Sequence, residues 1–339
     1  MAKKDRALKH YYLAFVVTGL VLLLSGILAG PSALLPIIAL ALIEVTFSFE
    51  NAVLNSQVLT GMNKLWRTIF LTVGIAVAVF GVRLVLPLVM VSSTTGDSLG
   101  HVLQLALHQP EEYAEALHHA YPVIAAFGGV FLLMIGLRFF GEKKDVLWWN
   151  KVEAPLADFN QPWWFSISGA LLAVVFIYLF LANGDSRVVV AAVLGGITFM
   201  VIKFMSELLL RNQEKDLKSK RSHSSSFMQF LYLELLDASF SFDGVIAAFA
   251  ITKDVILIAA GLGIGAIYVR SMTMHLLERG TLTHYRYLIH GAHYAILSLS
   301  ILLILSIRFQ IPEVFTGLLG LVIIGFSIYN SRQQNNESA

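Results

Sequence analysis

Ten stretches of this chain run apolar for the roughly 20 residues a helix needs to cross a hydrocarbon core. They lie at 11–30, 33–60, 66–91, 121–140, 163–182, 187–210, 227–252, 255–277, 287–307 and 313–330. No other feature constrains the fold as much. A backbone in lipid must satisfy its own polar groups, and a helix does so within one segment. The expected fold is therefore an all-α polytopic membrane protein with about ten transmembrane helices. The residue balance agrees, at 57% hydrophobic and 14% charged, against about 25% charged in soluble domains. The basic opening before the first run suggests a secretory leader. Its apolar part is long for one, however, and "LAGPSA" is a poor cleavage site, so it reads as a membrane helix.

Lysine and arginine set the expected orientation, since short cytoplasmic loops accumulate them. Lys3, Lys4, Arg6 and Lys9 precede span one, Lys64 and Arg67 follow span two, and Lys143, Lys144 and Lys151 follow span four. Arg211, Lys215, Lys218, Lys220 and Arg221 follow span six, whereas the long segment from Val91 to Ala120 has no lysine or arginine. Both termini are thus expected in the cytoplasm. The organisation reads as an N-terminal stretch and first helix (1–32), a first half (33–210), a basic cytoplasmic linker (211–226), a second half (227–330) and a tail (331–339). No eukaryotic transit pattern is visible, which points to a bacterial inner membrane, with membrane lipid as the surrounding partner.

Several function classes fall away. There is no cysteine, hence no disulfide, zinc-thiolate or iron–sulfur site. A net charge of +2, explained by topology, gives no reason to expect nucleic acid. No Walker-type phosphate loop is present, which argues against a single-chain ATP-driven pump. We expect no prosthetic group and no enzymatic activity; a homo-oligomer is left open.

The most informative pattern is an internal repeat. "EVTFSFEN", Glu44 to Asn51, returns as "DASFSFDG", Asp237 to Gly244, pairing Glu44 with Asp237, Thr46 with Ser239, Ser48 with Ser241 and Glu50 with Asp243. The likeness continues into the next helix, where "GIAVAVFGVR" (Gly74 to Arg83) matches "GLGIGAIYVR" (Gly261 to Arg270) in its Gly-to-Arg spacing. The first motif lies on span two and the second on span seven. An odd offset of five crossings makes the copies antiparallel, the arrangement of many secondary transporters that bind cargo at the midplane.

Helical spacing puts Glu44, Ser48, Asn51 and Asn55 on one stripe, and Glu234, Asp237 and Ser241 on another. Glu50 and Asp243 fall about 120° away on regular helices. Either the helix unwinds at Phe-Ser-Phe so that both acids converge, or each helix offers acids to two neighbours. Unwinding is favoured, because freed carbonyls beside carboxylates suit a cation. A charge at the bilayer centre costs at least about 2.5–3.5 kcal/mol, so five acids need compensation. A divalent cation, the guanidiniums of Arg83 and Arg270, or protons would each supply it, and together they describe a cation/proton antiport cycle. Carboxylate, amide and hydroxyl oxygens favour hard cations such as manganese, magnesium or calcium.

At "LIEVTFSFENAVLNSQ", "YLELLDASFSFDGVIAAFAIT" and the two Gly-to-Arg helices, the chain resembles the TerC-like integral membrane proteins. Within them it is similar to a branch catalogued as a domain of unknown function. By span pattern the resemblance covers roughly Leu34 to Ile328. It implies export of manganese or a related divalent metal, with links to tellurium resistance. Carried onto this sequence, it implies metal binding by Glu44, Glu50, Asn51, Glu234, Asp237 and Asp243; the helical spacing and matched arginines above add Ser48, Asn55, Ser241, Arg83 and Arg270 as supporting residues. Glu234 has no counterpart in the first copy, where Ala41 aligns with it, and the chain departs from the family pattern at Glu50 and Gly244.

Weaker signals have plainer readings. His101, His108, His118 and His119 with Glu115 suggest an exposed amphipathic helix, because no metal-ligand spacing occurs. His275, His290 and His293 suggest helix packing, and Lys203 with Glu207, one turn apart, a snorkelling pair. Two rival functions stand beside the transporter: an intramembrane aspartyl protease, with acids sharing a proton, and a scaffold for protein insertion whose acids bind partner helices.

Overall fold

The structure, a computed structural model, describes residues 11–158, 162–214 and 223–337. The leading lysines and most of the linker's basic residues (Lys215, Lys218, Lys220, Arg221) lie outside the described residues. Among those described, the fold is helical with no strand. In order the helices are α1 (Tyr12–Leu28), α2 (Leu34–Phe47), α3 (Phe49–Gly61), α4 (Lys64–Ala76), a π-helical segment π1 (Val77–Val85) and α5 (Leu86–Thr95). There follow α6 (Leu99–His108), α7 (Pro110–Gly141), α8 (Asn150–Asp158), α9 (Pro162–Phe176), the segment π2 (Ile177–Leu181) and α10 (Ser186–Glu214). The last are α11 (His223–Ile251), α12 (Val255–Arg279), α13 (Thr281–His284), α14 (Leu288–Ser306) and α15 (Glu313–Glu337).

Among the described residues, seven helices are long and apolar enough to cross a membrane, and the pair Pro31–Phe47 and Phe49–Gly61 makes an eighth if counted as one bent span. The other two expected spans also fall on helices. Tyr12–Leu28 has only 17 residues, and α11 carries Glu234, Asp237 and Asp243 within its apolar stretch. Large apolar side chains stand exposed along the spans, including Leu171, Leu172, Tyr178, Phe204 and Val322. Exposed apolar side chains on long apolar helices are consistent with a multi-pass membrane protein.

The chain divides into two compact units that interleave along the sequence. The first comprises Met1–Ala120 and Leu233–Arg279, the second Tyr121–Tyr232 and Gly280–Ala339. The units do not follow the expected split at the 211–226 linker. Both acid motifs and both Gly-to-Arg helices fall within the first unit.

Within the first unit α2 lies along α12, the most extensive packing there. Glycines permit it: a Cβ on Gly261 would meet Leu40 Cβ at 2.6 Å, and one on Gly265 would meet Glu44 Cβ at 2.4 Å. Small residues four apart let two membrane helices approach backbone to backbone, where dispersion replaces the absent hydrophobic drive. Here they bring Glu44 against α12.

The second unit packs by the same device. A Cβ on Gly195 would lie 2.2 Å from the Phe127 carbonyl oxygen, and one on Gly136 would lie 2.4 Å from Leu297. The expected Lys203–Glu207 pairing is replaced. Glu207 accepts from Arg138 Nη2 at 2.5 Å, and Lys203 Nζ lies over the Tyr232 ring at 4.7 Å. A planar guanidinium is the better carboxylate partner, and Arg138 reaches Glu207 from another helix, which helical spacing alone does not reveal. His293 stacks on Phe139 at 3.7 Å. His290 Nε2 bonds the Val146 carbonyl and lies 3.3 Å from Glu153.

Candidate functional site

The first acid motif is broken and the second is not. Ser48, between α2 and α3, has φ −101° and ψ 23°, far from the helical ψ of about −42°, and the two helices meet at 55°. Bonds from Ser48 N to Glu44 O (3.0 Å) and from Ala52 N to Ser48 O (3.2 Å) span the bend. The break makes an N-terminus of α3, with Glu50 in its first turn, where the helix dipole favours a negative group. At the matching Ser241, α11 continues uninterrupted. Unwinding expected at Phe-Ser-Phe therefore occurs in the first copy only. Both copies carry the same three residues, so the tripeptide by itself does not set the bend; α2 is the segment that packs on the glycines of α12.

The buried acids are paired with the two arginines. Arg83, on π1 and 2% exposed, donates Nη2 to Glu44 Oε1 and Nη1 to the Ala78 carbonyl at 2.8 Å. Arg270, on α12 and 3% exposed, donates Nη2 to both oxygens of Glu234 at 3.1 and 3.2 Å. Its Nη1 donates to the Phe70 carbonyl at 2.9 Å, and its guanidinium lies 4.0 Å from the Phe70 ring centroid. Both arginines flank one further acid. Asp237 Oδ2 is 3.7 Å from Arg83 Nη1 and 3.8 Å from Arg270 Nη2, outside hydrogen-bond range of either. Its other oxygen accepts from Asn51 Nδ2 at 2.9 Å, tying the two motif copies together.

Around this cluster, buried oxygens lack donors. Glu50 Oε2, Asn51 Oδ1, Asn55 Oδ1, Asp237 Oδ2 and Ser241 Oγ all make no hydrogen bond. A buried polar atom left unpaired costs about 1–3 kcal/mol, so these five oxygens, all on the two motif-bearing segments, are a concentrated local cost. The ion pairs leave a charge excess too: three carboxylates, Glu44, Glu234 and Asp237, face two guanidiniums, and Glu50 adds a fourth acid. Among the described residues, no three His, Asp or Glu side chains stand grouped to hold a metal, and Glu44 and Glu234 are bonded to arginines.

Of the residues expected from sequence, Glu44, Ser48, Asn51, Arg83, Glu234, Asp237 and Arg270 are connected by these contacts. Glu50, Asn55 and Ser241 are buried in the same unit. Asp243 lies on α11, but its side chain is outside the described residues. Two contributors were not foreseen. A Cβ on Gly74 would meet Arg270 Nη1 at 2.6 Å and Glu234 Oε1 at 2.7 Å, so this glycine makes room for the second ion pair. Phe70 supplies a carbonyl and a ring. The matched Gly74 and Gly261 were a visible signal for the former; nothing in the sequence marked the latter.

A family model described as a protein of unknown function (DUF475) matches residues 49–338. It takes in the motif from Glu50 onward and the whole second copy. No curated protein and no solved structure matches the chain.

Proposed function

We propose that this chain, which belongs to the DUF475 family, is a secondary transporter exporting a divalent metal cation by alternating access around the acid cluster of the first unit. The observation that carries this is the set of five buried oxygens without donors beside an acid cluster richer in carboxylates than in guanidiniums. Carboxylate, amide and hydroxyl oxygens without sulfur suit a hard ion. The resemblance to TerC-like proteins points to manganese as cargo and outward as direction. Glu50, Asn51, Asn55, Asp237 and Ser241 are the oxygen donors in this reading, Asp243 and the acids now on arginines join when the cargo is bound, and protons compete with the metal for the same oxygens. Ten crossings, inversely related motif copies and cytoplasmic termini in a bacterial inner membrane complete the proposal.

The surroundings of Asp237 favour this over an aspartyl protease. A proton-sharing dyad needs two carboxyls facing each other, whereas Asp237 sits between two guanidiniums. The test is manganese flux in proteoliposomes holding the purified protein, with magnesium, calcium, zinc and cobalt in parallel. The wild type should carry manganese, and a Glu50→Ala, Asp243→Ala double variant that keeps its fold should not. Equal flux in protein-free vesicles, or undiminished flux in the variant, would sink the assignment.

A further inference from the structure

We propose that Arg83 is the resident cation of the site, displaced from Asp237 when the cargo binds, while Arg270 is a fixed counter-charge. This rests on the transport reading above. The two arginines occupy matching places in the repeat, yet their environments differ. Arg270 has the more ties: both Glu234 oxygens, the Phe70 carbonyl and the Phe70 ring, in the space left by Gly74. It sits on the regular helix α12. Arg83 has fewer ties, to Glu44 and the Ala78 carbonyl of its own segment, and its buried Nε has no acceptor. It is carried on a nine-residue π-helix, whose hydrogen-bond register is rarer and less favoured than that of the flanking α-helices. A return to α register would rotate the side chain relative to α2 and α11.

A guanidinium cannot release its proton in a protein. It must therefore move away, not neutralise, to yield Asp237 Oδ2 to a metal. Binding then becomes an exchange of one cation for another on the same oxygen, and the empty site never holds an uncompensated Asp237. Arg83 is a positioning residue in this scheme, since it competes with the cargo and does not ligate it.

The experiment compares Mn²⁺ binding to wild-type, Arg83→Gln and Arg270→Gln protein in detergent, by titration calorimetry and by Mn²⁺-dependent thermal shift. Removing the competitor should tighten Mn²⁺ binding by at least about tenfold in Arg83→Gln, with low stability in chelator that Mn²⁺ restores. Arg270→Gln should lose stability without gaining affinity. If Arg83→Gln does not fold, Arg83→Lys serves: its single ammonium cannot serve Glu44 and Asp237 as a planar fork does, so affinity should rise by less. Wild-type protein that binds Mn²⁺ while neither Arg83 variant binds it more tightly would overturn the displacement alone. Wild-type protein that binds no divalent cation would overturn the transport reading with it.

Discussion

Hydrogen bonding in the acid cluster separates two substitutions that burial and formal charge alone would treat alike. Glu44 and Asp237 are each 5% exposed. Glu44→Gln removes the anion bonded to Arg83, leaving that guanidinium with Asp237 at 3.7 Å and no charged hydrogen-bond partner. Breaking a buried pair in this way costs about 3–5 kcal/mol. Asp237→Asn removes two attractions of about 4 kcal/mol each at an effective dielectric of 20. It also removes a carboxylate's desolvation cost of several kcal/mol and its repulsion from Glu44 and Glu234. Two acids then face two arginines, and an asparagine oxygen can still accept from Asn51. Asp237→Asn should thus lie within about 1 kcal/mol of wild type, and Glu44→Gln should unfold about 5–15 °C lower. Thermal unfolding of the purified proteins in detergent and chelator reads both. Equal destabilisation by the two, or a larger loss in Asp237→Asn, would refute the pairing argument.

Gly265→Ala should destabilise by about 1–3 kcal/mol despite a better helix former, because its methyl would stand 2.4 Å from Glu44 Cβ and α2 must move; a thermal melt unchanged from wild type would show that α2 yields freely. Lys144, outside the spans, has its pKa lowered chiefly by burial, with Nζ 4.0 Å from the Phe139 ring centroid. Its charged form is therefore disfavoured on folding, so Lys144→Met should raise stability at neutral pH by a margin that shrinks as pH rises toward the ordinary lysine range. Asp185 has its pKa lowered first by its hydrogen bonds from Arg187. Its small contribution should be present above the ordinary carboxylate range and fade as pH falls through the lowered value, a dependence that Asp185→Asn should abolish in pH-resolved melts.

The acid stripes and the repeat could be seen in the sequence because they depend on spacing along one helix. Asn51 with Asn55 and Asp237 with Ser241 are one turn apart wherever the helix is placed. The choice of partners was not legible. Glu234, which lacks a counterpart in the first copy, takes the most fully held arginine, and Lys203 loses Glu207 to Arg138. Those outcomes depend on which helices meet, and here glycines decide how closely. The bend at Ser48 and the straight run through Ser241 make the same point, since one tripeptide takes two conformations.

The ion pairs also bear on how such a chain enters a membrane. Glu44 and Arg83 are 39 residues apart, and Glu234 and Arg270 are 36 apart, whereas Asn51 must wait 186 residues for Asp237. Each newly made helical hairpin thus brings its own counter-ion before its distant partner has been synthesised. In each segment one acid, Glu44 or Glu234, has an arginine of its own within the same stretch of newly made chain. Asp237 arrives late, when Arg83 is already in place to receive it.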